Sequence, residues 1–251
     1  MTEVPPQLAN CRDYWLEWGA EGRKDEDFTY YRSGVQHPQL NGVLRLRSKD
    51  KAGVAVERAA ELLDGVPWMW WVGPDSAPGV ADELVKRGAR KVGEMPVMAL
   101  RMDAPLKNVD GPTGLRVVAA DGREGLDEWV QTYSPSFGVL AQFQERTAAI
   151  EAGRADGARV VRFIGRLDGE AVGTALMLEA HGVAGIYVVT TSEAHRRQGI
   201  GAALTTAALR AGQERGLRVG TLQASPLGAS VYRRMGFENV ATYDLFQIPT
   251  S

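Results

Sequence analysis

Val188-Val189-Thr190-Thr191-Ser192-Glu193-Ala194-His195-Arg196-Arg197-Gln198-Gly199-Ile200-Gly201-Ala202-Ala203-Leu204 reads as the end of a strand, a turn with two glycines, and the start of a long helix. That order aims several backbone N–H groups at one spot, which suits an anion. Gly199 and Gly201 carry no side chain where a diphosphate has to approach the backbone. Arg196 and Arg197 add positive charge at the helix N-terminus, where the macrodipole already favours a negative ligand. Two other phosphate loops are excluded by the residues. A dinucleotide fingerprint needs a glycine where Leu204 stands, and a P-loop needs Gly-Lys-Ser/Thr where Gly201-Ala202-Ala203 stands. The remaining alternative is a glycine turn capped by arginines.

The flanking residues set this loop in a mixed sheet. Residues 160–167, 171–179 and 185–191 read as strands, joined by the hairpin turns Asp168-Gly169 and His181-Gly182. Residues 200–215, rich in alanine and leucine and closed by Gly216, form a helix. Residues 219–224 are a strand, 229–235 a helix and 240–248 a last strand. Upstream of these, the sequence predicts a strand start at 115–118, a helix around 125–133, a loop at Ser134-Pro135-Ser136 and a helix near 139–152.

The first part of the chain shows a similar alternation. Tyr14, Trp15 and Trp18 mark one face of a helix over 11–19. Residues 28–32 and 42–47 look like strands, with Asn41-Gly42 as a hairpin turn between them. A helix at 52–63, a buried strand at 66–74 holding Trp68-Met69-Trp70-Trp71, a helix at 80–87 and a strand at 92–102 follow, with Pro96 interrupting or edging the last. The tryptophan run reads as core or as a seam between halves, with a cleft lining as the lesser alternative. Residues 103–114, with Pro105, Asp110-Gly111-Pro112 and Gly114, form the best linker. A weak internal echo joins the segment from Arg87-Gly88 to Met95 with that from Met235-Gly236 to Tyr243: a helix end, a glycine, a strand.

Composition limits the function classes. A net charge of -2, from 29 basic and 31 acidic residues, gives no general attraction to a nucleic acid or an anionic membrane. Met1 to Asn10 does not read as a signal peptide, and no run reaches the ~20 apolar residues of a membrane span. Cys11 is the single cysteine, so no internal disulfide forms, which fits a reducing, cytoplasmic setting. The three histidines are scattered and suggest no metal site.

The segment from Val188 to Leu204 resembles the acyl-CoA-binding motif of the GNAT acetyltransferase superfamily. Leu222-Gln223-Ala224-Ser225 through Val231-Tyr232-Arg233-Arg234-Met235-Gly236-Phe237 resembles its closing motif. The resemblance covers residues 160–246 and extends back toward 114. It implies an α/β (α+β) fold with a mainly antiparallel sheet flanked by helices, in two tandem halves: a degenerate one over 1–110 without the cofactor loop, and a catalytic one over 111–251. It also implies that acetyl-CoA is a co-substrate. Its diphosphate rests on the N–H groups of Gln198, Gly199, Ile200, Gly201, Ala202 and Ala203, beside Arg196 and Arg197, and its pantetheine arm on Val188, Val189, Thr190 and Thr191. By the same resemblance Tyr232 protonates the departing thiolate, unless it is a core tyrosine. Glu179 is the side-chain candidate for general base, unless it is a solvated strand-end glutamate. The implied activity moves an acetyl group to a primary amine of a small molecule or peptide by direct attack, in a monomer or homodimer. The rival is a non-catalytic acyl-CoA sensor.

Overall fold

The computed structural model describes residues 2–19, 21–24, 27–106, 109 and 111–248, and of residues 21–24 the backbone alone. Eleven strands form one sheet. In chain order these are β1 (Glu21–Lys24), β2 (Phe28–Arg32), β3 (Asn41–Leu46), β4 (Met69–Val72), β5 (Arg90–Arg101), β6 (Arg116–Ala119), β7 (Val160–Leu167), β8 (Glu170–Ala180), β9 (Val183–Thr191), β10 (Val219–Gln223) and β11 (Glu238–Gln247). Their spatial order is β1-β2-β3-β4-β11-β5-β10-β9-β8-β7-β6. Among these pairs only β3·β4 and β9·β10 are parallel. The predicted mixed, mainly antiparallel sheet is what forms.

Helices α1 (Val4–Leu16), α4 (Gly122–Phe137) and α5 (Gln144–Ala152) cover one face of this sheet, around Trp15, Tyr31, Trp71, Trp129 and Tyr187. The other face carries α2 (Ala52–Leu62) and α3 (Val80–Lys86) over one half, and α6 (Ile200–Glu214) and α7 (Ala229–Arg234) over the other.

The centre of the sheet repeats itself about a pseudo-twofold axis at the pair Met95↔Tyr243. Pro96↔Thr242 is mirrored by Glu94↔Asp244, Val97↔Ala241 by Gly93↔Leu245, and Met98↔Asn239 by Lys91↔Phe246. One bulged residue stands on each side, Val240 and Val92. Gly88 and Gly236, the glycines of the sequence echo, both close a helix in the left-handed region (φ 85° and 96°) just before these strands. Each half also lends a strand to the other: β11 lies between β4 and β5, and β5 lies between β11 and β10. A cut at residue 110 separates the halves in sequence and leaves both strands across the seam. Trp70 and Trp71 stand at that seam, fully buried and paired with Phe246 and Leu245.

Several local expectations are corrected. Helix α1 starts at Val4 rather than Cys11, because Pro5 and Pro6 occupy its first turn, where a missing N–H costs nothing. Asn41-Gly42 is not a hairpin turn. Asn41 is extended (φ -143°) and begins β3, while its side chain ties down the loop before it: Oδ1 accepts from the N–H groups of Ser33 and Gly34, and Nδ2 donates to the carbonyls of Val35, His37 and Pro67. Ser134-Pro135-Ser136 is the last turn of α4, not a loop, and the helix stops at Gly138 (φ 71°). Helix α5 begins at Gln144, not Val139. Pro96 lies inside a twelve-residue central strand. Its ring nitrogen faces the β10 side just past the last β5·β10 pair, Val97↔Gln223, so no ladder N–H is missed, and its carbonyl accepts from Ala224. The turns Asp168-Gly169 and His181-Gly182 are two-residue hairpins with positive φ at all four positions, as expected.

Candidate active site

The site is a V-shaped gap between β9 and β10. These parallel strands pair at Ala184↔Gly220, Gly185↔Thr221 and Ile186↔Leu222, and no pair follows. At the point of divergence Val188 takes φ 50°, an unfavourable conformation for a β-branched residue, and the β8·β9 register shifts between Thr174 and Leu176. The buried Thr174 hydroxyl holds this bulge, donating to the Val188 carbonyl at 2.8 Å beside the Thr190 hydroxyl. The bulge turns the edge of residues 188–191 away from continued pairing with β10, so the backbone there faces the gap.

At the wide end of the V, β9 passes through Ser192 and a single 3-10 turn, Glu193–His195, into α6. The Ser192 hydroxyl and His195 Nδ1 lie 2.9 Å apart, which ties the two ends of that turn together. Arg197 (φ 64°) and Gly199 (φ 84°) both adopt left-handed backbone, and residues 196–199 are exposed. The N-cap, Gly199, supplies no side-chain hydrogen bond, and the first intrahelical bond runs from the Ala203 N–H to the Gly199 carbonyl at 3.0 Å. The N–H groups of Ile200, Gly201 and Ala202 therefore point outward from the positive end of a 15-residue helix. A side chain at Gly201 would lie over Thr191 Oγ1 (3.6 Å) and Val189 Cγ1 (3.9 Å), at the mouth of the V. Residues 188–191 and the outward N–H groups of Ile200, Gly201 and Ala202 thus lie along one continuous path, whereas the Ala203 N–H, expected to hold a diphosphate, is taken by the Gly199 carbonyl.

Tyr232 stands on the α6 side of this path. Its residue is 9% exposed, and it packs edge-on against Phe237 with ring centroids 5.8 Å apart. Burial pushes its phenol up to about 12, moderated by hydrogen bonding with Thr205 on α6. The group therefore stays protonated across the working pH range. In the turn before its helix, the Ser225 Oγ accepts from the Gly228 N–H at 3.2 Å.

Glu179 does not join the group. It pairs across the hairpin with Ala184, at the closed end of the V, and its carboxylate is 3.2 Å from Arg215 at the C-terminal cap of α6. The length of that helix separates it from the anion cradle by roughly 20 Å. Cys11 is also remote from nucleophilic chemistry, because burial pushes its thiol up to about 12. Two residues not picked out from sequence do face the V: Tyr187 and Gln223, side by side where β9 and β10 separate. The alternation of β10, with Leu222 packed on the α6 face, was the available signal for Gln223. Among the described residues no cluster of three or more histidine, cysteine, aspartate or glutamate side chains can hold a metal. No described helix is long and apolar enough to cross a membrane.

The corresponding gap in the first half is closed by the chain itself. Beyond Gly42↔Met69 and Val43↔Trp70, β3 and β4 also part. There the Leu46 carbonyl accepts from the Ala77 N–H at 2.8 Å, and the Leu46 N–H reaches the Ser76 hydroxyl at 3.4 Å. In place of a glycine loop this half has Ser48-Lys49-Asp50-Lys51.

Residues 126–237 match the model of the acetyltransferase (GNAT) family. No curated protein matches the chain. Among solved structures, a GCN5-related N-acetyltransferase from Kribbella flavida is 20% identical, with a TM-score of 0.75 over 100% of this chain and 98% of that one. One from Sphaerobacter thermophilus is 23% identical, with a TM-score of 0.66 over 89% and 78%. A tandem GNAT protein from the clavulanic acid biosynthesis pathway is 17% identical, with a TM-score of 0.61 over 89% and 79%. At these identities the likeness is one of fold.

Proposed function

We propose that this protein is an acetyl-CoA-dependent N-acetyltransferase that acts on a primary amine of a small molecule or peptide, with one cofactor site per chain. The observation that carries the reading is the uncapped N-terminus of α6 opening onto the β9–β10 gap, with Tyr232 beside it. The amine nitrogen attacks the thioester carbonyl carbon directly. The N–C bond forms, the C–S bond breaks, and the bulge backbone of β9 donates to the oxygen as negative charge develops on it. The Tyr232 hydroxyl supplies a proton to the leaving sulfur, and the proton lost by the amine restores the balance. No covalent enzyme intermediate is used, in keeping with the inert Cys11. Glu179 takes no part. A cytoplasmic protein, monomeric or homodimeric and without a nucleic-acid partner, fits the composition.

Calorimetry with acetyl-CoA, followed by addition of amines and detection of free thiol, tests the reading. Binding with thiol release supports a transferase. Binding without release from a broad amine panel favours an acyl-CoA sensor, and absence of binding removes both.

A further inference from the structure

The narrow end of the V defines what the acceptor meets. A thioester whose diphosphate rests on the α6 N-terminus runs along residues 191–188 and brings its acyl carbon to the point where Ile186↔Leu222 pairing stops. The next residues, Tyr187 and Gln223, face each other there. Leu222 and Tyr232 belong to the α6 face, whereas Tyr187 packs under α1 on the opposite face. Because Tyr232 serves the leaving sulfur from one side, the amine arrives from the side of Tyr187 and Gln223.

Among the described residues, none on that side is placed as a general base. The Tyr187 hydroxyl donates to Asn10 Oδ1 at 2.7 Å, and burial holds its phenol well above the usual range. The groups acting on it are Cys11 and Tyr14 from α1, Arg154 from the loop after α5, and Gln223 from β10. Arg154 is engaged by Asp156 at 2.8 and 2.9 Å. The nearest carboxylate acting on Tyr14, Glu151, is held by Arg162 at 2.6 Å. None of these groups is an imidazole, and the Glu151 carboxylate, whose buried Oε1 has no hydrogen-bond partner, is neutralised by Arg162 through Oε2. Gln223, in contrast, is poised to bind: its Nε2 is buried beside the Tyr187 hydroxyl and makes no hydrogen bond of good geometry. The equivalent place in the closed half, one residue past Val43↔Trp70, is filled by Trp71. The open half keeps an amide where the closed half has an indole.

Resting on the transferase reading, we infer that the acceptor is an α-amine flanked by a carbonyl, as in an amino-acid amide or a peptide N-terminus, and that Gln223 determines this specificity by donating to that carbonyl. A site without a base depends on amine that is already neutral. At pH 7 an α-amine is neutral to the extent of roughly a tenth and a lysine-type amine to a few parts in ten thousand, a ratio of some hundreds. The flanking carbonyl lowers the amine's basicity and also supplies the acceptor atom for Nε2.

The test measures thiol release at saturating acetyl-CoA with glycinamide, phenylalaninamide and glycylglycine against n-butylamine and Nα-acetyl-lysinamide. The α-amines are expected to show kcat/KM more than tenfold higher at pH 7. Their log kcat/KM should rise with unit slope toward the amine's own pKa, without a break between pH 5.5 and 7.5. Gln223→Leu, checked for an unchanged melting temperature and acetyl-CoA affinity, is expected to lower α-amine kcat/KM at least tenfold and alkylamine kcat/KM less than twofold. A preference for alkylamines, a break in the pH profile, or an equal loss for both classes overturns the inference and leaves the transferase reading intact. Bound acetyl-CoA with no thiol release from any amine overturns both.

Discussion

Replacing Gly201 by glutamate places a carboxylate at the mouth of the V without disturbing the fold. Gly201 lies in the first turn of α6, and a Cβ there meets Thr191 Oγ1 at 3.6 Å and Val189 Cγ1 at 3.9 Å, both ordinary contacts. Helix propensity favours the change by roughly 0.5–1 kcal/mol, so the melting temperature is expected to hold or rise. Binding should fall sharply. A carboxylate some 5 Å from one diphosphate charge, at an effective dielectric near 20, costs about 3 kcal/mol, which is a loss of about two orders of magnitude in affinity. Gly201→Ala is the steric control and should bind within a few-fold of the parent. Calorimetric titration with acetyl-CoA reads both. Glutamate-variant affinity within threefold of the parent, in a protein that melts normally, would refute the assignment of the anion cradle to α6.

Tyr232→Phe is expected to lower kcat at least tenfold with little change in acetyl-CoA affinity; because burial raises the phenol to about 12, the parent should lose no activity to tyrosine ionisation as pH rises to 10. Acetyl-CoA should titrate at one site per chain, since Ser76 and Ala77 occupy the Leu46 backbone in the first half; two sites would show that this closure opens. Glu179→Gln should leave kcat and both KM values within twofold, and its half-exposed bridge to Arg215 is worth well under about 1 kcal/mol, so a large kinetic loss would return Glu179 to the reaction. Asn41→Ala removes the buried amide that pins residues 33–40 and should cost about 2–4 kcal/mol in denaturant unfolding, whereas a hairpin-turn asparagine would cost far less.

The geometry of the loop before α6 was legible in the sequence because its determinants are local. Arginine, glycine and helix start lie within a few residues, so spacing alone sets the geometry from Arg196 to Ala203. Tyr232 was picked out through its motif alone, and the structure adds its burial beside α6. Glu179 misled because its distance from the loop along the chain says nothing about which end of β8 it occupies, which the hairpin register decides. Gln223 and Tyr187 escaped notice because each is unremarkable alone and acquires meaning from a cross-strand neighbour. Pro96 and Ser134-Pro135-Ser136 were misread for one shared reason: proline excludes a hydrogen bond only where one is needed. At the end of the β5·β10 ladder and in the last turn of α4, tertiary context leaves that need absent or outweighed. The exchange of β5 and β11 lay beyond any local reading, although the Gly88 and Gly236 echo marked both strands.

That exchange also orders events in time. During synthesis the first half emerges with β4 and β5 but without the strand that belongs between them, since β11 follows every other strand along the chain. Its central ladder cannot close until β11 has emerged, and the edges of β4 and β5 that face it stay unpaired until then. The chain is thus committed to late, all-at-once closure, and it depends on protection of two nascent edges in a way that two independently folding halves would not.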